Sequence, residues 1–128
     1  MKILLDTCTF LWVITNDPTL STHAKSLFIA PENEIYLSSI STWEILVKNQ
    51  LGKLPLPAPA GTFIQEQRRL HRIEPMPLAE DAVMQLPKLP HLHNDPFDRM
   101  LVCQAISNGL AILTPDLKIS QYPVQTVW

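Results

Sequence analysis

Four carboxylates in this 128-residue chain sit where one kind of segment gives way to another. Asp6 closes the apolar run "KILL", Glu44 follows the alternating run "EIYLSS", Asp98 falls inside "NDPFDR", and Asp116 follows "LAILTP". Carboxylates brought together repel: a pair 4 Å apart costs about 4 kcal/mol at an effective dielectric of about 20. A fold tolerates this if some pKa values rise until the groups are neutral, or if a divalent cation sits among them. All-oxygen ligation suits Mg²⁺ or Mn²⁺. A cation so held can bridge to a phosphodiester, activate a water and stabilise the charge that develops in an in-line displacement. It would also supply positive charge that a chain of net charge −2 otherwise lacks.

Whether the four acids meet depends on the elements that carry them. "KILL" (2 to 5) reads as a short strand, and "CTFLWVIT" behind it has the periodicity of a helix. Asn16-Asp17-Pro18 is a turn, and Ser21 caps a second helix with Ala24, Leu27 and Phe28 on one side. The strand "EIYLSS" (34 to 39) leads into "ISTWEILVKNQLGK", with Ile40, Trp43, Val47 and Leu51 at helical spacing and Gly52 just past the end. The proline-rich linker 54 to 61 precedes helices over 61 to 72 and 78 to 86 that flank the short strand "IEPMP". The helix "PFDRMLVCQAISNG", the strand "LAILT" and a closing strand "VQTVW" follow. Strands alternating with helices predict an α/β fold with a parallel sheet covered on both faces. The length predicts one domain over residues 1–128.

In such a sheet, strand C-termini and helix N-termini share one edge, and ligands bind there. Asp6, Glu44, Asp98 and Asp116 all land on it. Glu32, Glu34, Glu66, Glu74, Glu80 and Asp81 fall on linkers, strand starts or amphipathic faces and read as solvated. Asp98 also has a structural reading: with Asp95 as N-cap and Pro96 at N1 it falls at N3, a capping box with aspartate in place of glutamate. Thr7, Ser38 and Thr114 stand beside the acids and are expected to orient carboxylates or a water. Ser41 and Asn94 read as turn or cap residues. His91 and His93 have no third or fourth ligand within reach, because His23 and His71 lie on distant helices; a hydrogen-bonded or solvated loop pair is expected rather than a zinc site. A serine nucleophile is not expected, because the chain has no GxSxG elbow and no histidine placed to act as its base.

With 46% hydrophobic and 17% charged residues the chain is neither disordered nor a membrane protein. Asp6 interrupts the N-terminal apolar stretch, so that stretch reads as a strand and helix rather than a leader. Cys8 and Cys103 lack metal-type spacing, and a reduced, cytoplasmic setting is expected.

The strings "ILLDTCTFLW", "LSSISTWEILVKNQLGKL", "NDPFDRMLVCQAISNGLAILTPD" and "YPV" together resemble the PIN-domain family, and most closely the VapC-type toxins of toxin–antitoxin pairs. The likeness runs from residue 3 to about residue 124, with the motifs in the same order. It implies a three-layer α/β/α sandwich with a central parallel sheet and a Mg²⁺- or Mn²⁺-dependent endoribonuclease site. The family's acidic quartet maps onto Asp6, Glu44, Asp98 and Asp116, with Asp6, Asp98 and Asp116 as metal ligands and Thr7 as the accessory hydroxyl. The resemblance further implies an RNA substrate, a small antitoxin that covers the site, and a homodimer. Pro115 departs from the pattern and is expected to set Asp116 a little off the metal; residues 54 to 77 carry no family motif.

Arg68, Arg69, Arg72 and His71, with Lys48, Lys53 and Arg99, are the cationic candidates for holding RNA; pairing with nearby acids is an equal reading, and a salt bridge to Asp98 is expected for Arg99. Leu11, Trp12, Trp43 and Leu46 are candidates for a partner groove, against core packing. The rival function is a non-catalytic PIN-like module that binds RNA or a protein partner, although such a binder gains nothing from four mutually repelling acids. A haloacid-type phosphatase would need DxDx[TV] where this chain has "DTCTF".

Overall fold

The computed structural model describes residues 1–128. In chain order the elements are β1 (Lys2–Leu5), α1 (Thr7–Thr15), α2 (Thr22–Ile29), β2 (Glu34–Ser38), α3 (Ser39–Gln50), α4 (Ala60–Leu70), β3 (Glu74–Met76) and α5 (Glu80–Val83). A 3₁₀ turn at Leu86–Lys88 leads to α6 (Pro96–Asn108), β4 (Ala111–Leu113), α7 (Leu117–Ser120) and β5 (Thr126–Val127). All strand pairs are parallel, in the order β3-β2-β1-β4-β5.

Helices cover both faces because the strands are apolar on both. Alternate side chains of a strand point to opposite faces, and β1 shows it: Ile3 and Leu5 join Phe10, Ala24, Ile45 and Ile64 in one core, whereas Leu4 joins Leu101, Val102, Ala105 and Ile119 in the other. Two hydrophobic layers thus sandwich the sheet, as the alternation of strands and helices predicts. Pro75 is tolerated in β3 because that strand is at the edge of the sheet.

The local punctuation follows side-chain chemistry. The Ser21 hydroxyl accepts the Ala24 N–H at 2.9 Å and starts α2, and Asp95 Oδ1 accepts from the Phe97 and Asp98 N–H groups at the start of α6. Gly109 ends α6 at φ 65, a left-handed conformation in which a side chain would be strained. The largest departures from the elements that the sequence predicts are three. The helix expected over 61 to 72 stops at Leu70, with Arg72 at φ 56 leading straight into the next strand. The helix expected over 78 to 86 is the single turn of α5 followed by the 3₁₀ turn, since Pro87 cannot continue an α-helix. Helix α7 has no sequence-level signal, because four residues are too few to show a period.

Strand order locates the working crevice. From β1 the chain adds β2 and β3 on one side, then crosses back to lay β4 and β5 on the other. Connections leave β1 and β4 in opposite directions, which opens a crevice at their carboxyl ends.

Candidate active site at the carboxyl edge of the sheet

Asp6 follows β1 and stands at the N-cap position of α1, yet its side chain takes no capping hydrogen bond. Its carboxylate turns instead across the crevice, where Thr114 Oγ1, just beyond β4, donates to Asp6 Oδ2 at 3.0 Å. The same hydroxyl oxygen accepts the Asp116 N–H at 3.0 Å, so one threonine fixes two of the acids. Asp116 is the N-cap of α7, with Oδ1 accepting the Lys118 N–H at 2.9 Å. Thr7 Oγ1 donates to Ser41 Oγ at 2.8 Å, tying the segment after β1 to the first turn of α3. Ser38 Oγ accepts from the Ile40 N–H and starts that helix. Glu44, one turn further, is buried and pairs with Lys48 at 2.5 Å. Asp98 hangs from the first turn of α6, and Trp43 packs edge-on against Phe97 at 4.9 Å, locking α3 to α6 one residue before each acid.

Electrostatics link these groups. Burial pushes the Asp6 carboxyl up to about 6; the Thr114 hydrogen bond partly offsets this, and the charges of Asp98 and Asp116 add to it. Burial likewise raises Asp98 to about 6, opposed by a hydrogen bond from His93 and reinforced by Asp95, Glu44 and Asp116. The charges of Asp98 and Asp116 thus act on Asp6, and those of Glu44 and Asp116 on Asp98. Glu44 Oε1 is buried without any hydrogen-bond partner. A buried acceptor left so costs about 1–3 kcal/mol.

These features fit a hard divalent cation. The donors are all carboxylate oxygens, one of them unpartnered, and their mutual repulsion is what a cation would relieve. No three His, Cys, Asp or Glu side chains cluster tightly enough to form a ready-made cage.

Several expectations are corrected. Asp98 does not reach back to its cap; Oδ2 faces His93 Nε2 at 3.2 Å. Arg99 forms no salt bridge with Asp98 but donates to the Pro90 carbonyl and to the Tyr122 hydroxyl. His91, by contrast, pairs with Asn94 at 2.6 Å, as expected of a hydrogen-bonded loop histidine. Arg72 and His71 line a cavity of about 350 Å³ with Phe28, Ile29 and Asn33, beside the start of β2 and thus at the opposite edge of the sheet from the acids. The arginine cluster is therefore remote from the crevice. Trp12 packs edge-on against Trp128 at 5.8 Å, and Leu11 and Leu46 pack against the core, whereas Trp43 is 57% exposed. The His93–Tyr122 contact, between residues 29 positions apart, has no local sequence signal. The Glu44–Lys48 pair does have one, its i,i+4 spacing.

Thr114→Val tests the joint across the crevice. The hydroxyl lowers the Asp6 pKa, so its removal should move the Asp6 titration above its present value of about 6, read from the carboxyl carbon shift. The Asp116 N–H also loses its acceptor, and stability should fall by about 1–3 kcal/mol. An unmoved Asp6 titration would mean that the bond does not form in solution.

Comparisons with known proteins agree with this architecture. Ribonuclease VapC16 of Mycobacterium tuberculosis (strain ATCC 25618 / H37Rv) is 41% identical over 49 residues, which are 38% of this chain and 33% of that relative. The VapBC2 structure from Rickettsia felis, bound to a DNA fragment from its promoter, superposes with a TM-score of 0.73 at 17% identity, covering 99% of this chain and 98% of that one. DNA-bound VapBC from Salmonella typhimurium gives 0.70 at 21% identity, covering 99% and 97%. At such identities these likenesses establish the fold. A profile of the PIN domain matches residues 3–125, from the buried core of β1 to the threshold of β5, and by that nearly end-to-end match the chain belongs to the PIN-domain family.

Proposed function

We propose that the chain is a divalent-cation-dependent endoribonuclease and the toxin member of a toxin–antitoxin pair. The observation that carries this is the mutual repulsion of buried acids at the β1–β4 crevice, with Asp6 and Asp98 both held near 6 and Glu44 Oε1 left unpartnered. A pure binding surface gains nothing from that arrangement. Support also comes from the relative named as a ribonuclease and from the VapBC complexes that share the fold.

In this reading Asp6, Asp98 and Asp116 hold Mg²⁺ or Mn²⁺, and Glu44 completes the acidic set. When bound, the cation supplies Lewis acidity toward a phosphodiester oxygen and lowers the pKa of a water. The chain's own residues do the rest. Thr114 aims Asp6, Thr7 and Ser38 fix the start of α3 beneath Glu44, and Lys48 keeps a cation beside that acid. The exposed Trp43 offers a face on which an RNA base can stack. The partner is a small antitoxin. Two free cysteines support a cytoplasmic location, and assembly as a homodimer rests on the family resemblance.

The test is cleavage of a mixed RNA pool by antitoxin-free protein with Mg²⁺, with Mn²⁺ and with chelator, across pH 5 to 8. Cutting should require the cation. At limiting cation it should also fall as pH drops through about 6, where protons compete with the cation for Asp6 and Asp98; saturating cation should move that fall to lower pH. Well-folded protein that binds RNA but cuts nothing with either metal would instead be the non-catalytic binding module.

A further inference from the structure

His93 lies in the loop before α6 and touches two elements that the acidic quartet does not explain. Its Nε2 faces Asp98 Oδ2 at 3.2 Å, and its Nδ1 lies 2.6 Å from the Tyr122 hydroxyl. Tyr122 is 2% exposed, and its hydroxyl has three partners. Two of them can only donate: the His93 backbone N–H at 3.2 Å and Arg99 Nη1 at 3.2 Å. A phenolic oxygen so occupied has its own proton left for the third partner, the His93 Nδ1. Nδ1 is then an acceptor, and in a neutral imidazole the proton must sit on Nε2, aimed at Asp98. Arg99, with its guanidinium 5.9 Å from the Tyr122 ring centroid and a second bond to the Pro90 carbonyl, braces the hub.

We propose that His93 and Tyr122 are positioning residues for Asp98: the Tyr122 hydroxyl locks His93 as the Nε2–H tautomer, and that N–H holds Asp98 Oδ2 while Oδ1, free of protein hydrogen bonds, is left for a cation. This rests on the nuclease reading for its purpose but not for its geometry. It inverts the usual arrangement in which a carboxylate orients a metal-bound histidine; here a histidine, itself oriented, orients the carboxylate. It also explains why Arg99 turns away from the neighbouring acid. An arginine paired with Asp98 would compete with the cation, whereas one bonded to Tyr122 fixes the tautomer.

The tautomer is read directly on wild-type protein, without cation, by ¹⁵N shifts of the His93 ring at pH 8. The Nε2–H form is expected; an Nδ1–H form or an imidazolium would overturn the proposal. The second arm is Mn²⁺ binding followed by electron paramagnetic resonance. His93→Phe should weaken Mn²⁺ about 10-fold, the scale seen when residues that orient a ligand are removed. His93→Gln, which keeps a donor near the Nε2 position, should restore most of the loss, and Tyr122→Phe should weaken Mn²⁺ while the His93 shifts lose their fixed tautomer. Unchanged Mn²⁺ affinity in folded His93→Phe, or no Mn²⁺ binding by wild type, would overturn the positioning role. If the shifts and affinities come out as expected and RNA is still not cut, the nuclease reading falls and the relay stands.

Discussion

Asp6→Asn is expected to abolish RNA cleavage while making the cation-free chain more stable. Asp6 is 6% exposed, and its carboxyl, at about 6 in the fold, starts from an ordinary value of 3.8. Between those values the folded chain holds a proton that the unfolded chain has released, so wild-type stability declines as pH rises through about 4 to 6 and then levels off. Asparagine carries no charge and escapes that decline. The variant should therefore match wild type below pH 4 and exceed it at pH 8 by about 1–3 kcal/mol, the order of a two-unit shift at 1.36 kcal/mol per unit. Activity should fall by more than the roughly 100-fold upper end found when residues that merely orient a ligand are lost. Cation favours wild type: at 100 times Kd it adds about 2.7 kcal/mol to the chain that binds it, which closes the gap, and at 1,000 times Kd about 4.1 kcal/mol, which reverses the ranking. Thermal melts at pH 4 and pH 8, each with chelator and with Mn²⁺, separate the four cases. Equal stability of the two chains at pH 8 in chelator would show that burial and the neighbouring charges do not raise the Asp6 carboxyl.

Phe10→Ala should do the opposite, losing stability first and activity only as a consequence. Phe10 is 0% exposed in the core formed with Ile3, Leu5, Ile35, Leu37 and Leu113. Truncating a buried phenylalanine costs about 3–5 kcal/mol, a large part of the roughly 5–15 kcal/mol that holds a domain together. Phe10 also pins α1 to the sheet two residues past Cys8, on the helix whose first residue, Thr7, bonds to Ser41. In a urea titration the midpoint should drop with little change in slope. Cleavage by the fraction still folded should persist, unlike in Asp6→Asn. A loss below 1 kcal/mol would mean that the core closes around the gap.

What could be seen in the sequence was whatever is written locally. The four acids could be placed on one edge because each follows a strand or opens a helix, and strand and helix periods are short-range patterns. Ser21, Asp95, Pro96, Gly52 and Gly109 punctuate helices by chemistry that acts within three or four residues. The features that sequence does not reveal depend on distance in the chain or on very short elements. Tyr122 meets His93 only because β4 returns beside β1 and brings α7 with it. Arg99 follows Asp98 in sequence, but a helix turns successive residues by about 100°, so adjacency along the chain gave the wrong partner. The arginines of α4 look like an RNA grip until the parallel topology carries the end of that helix to the far edge.

The Thr114–Asp6 hydrogen bond joins residues 108 positions apart. Because synthesis runs from the N-terminal side, Asp6 is made 108 residues before the threonine that aims it. The β1–β4 crevice is thus closed by a contact of very long range, the kind whose loop-closure entropy must be met before it can form, so its geometry belongs among the late events of folding.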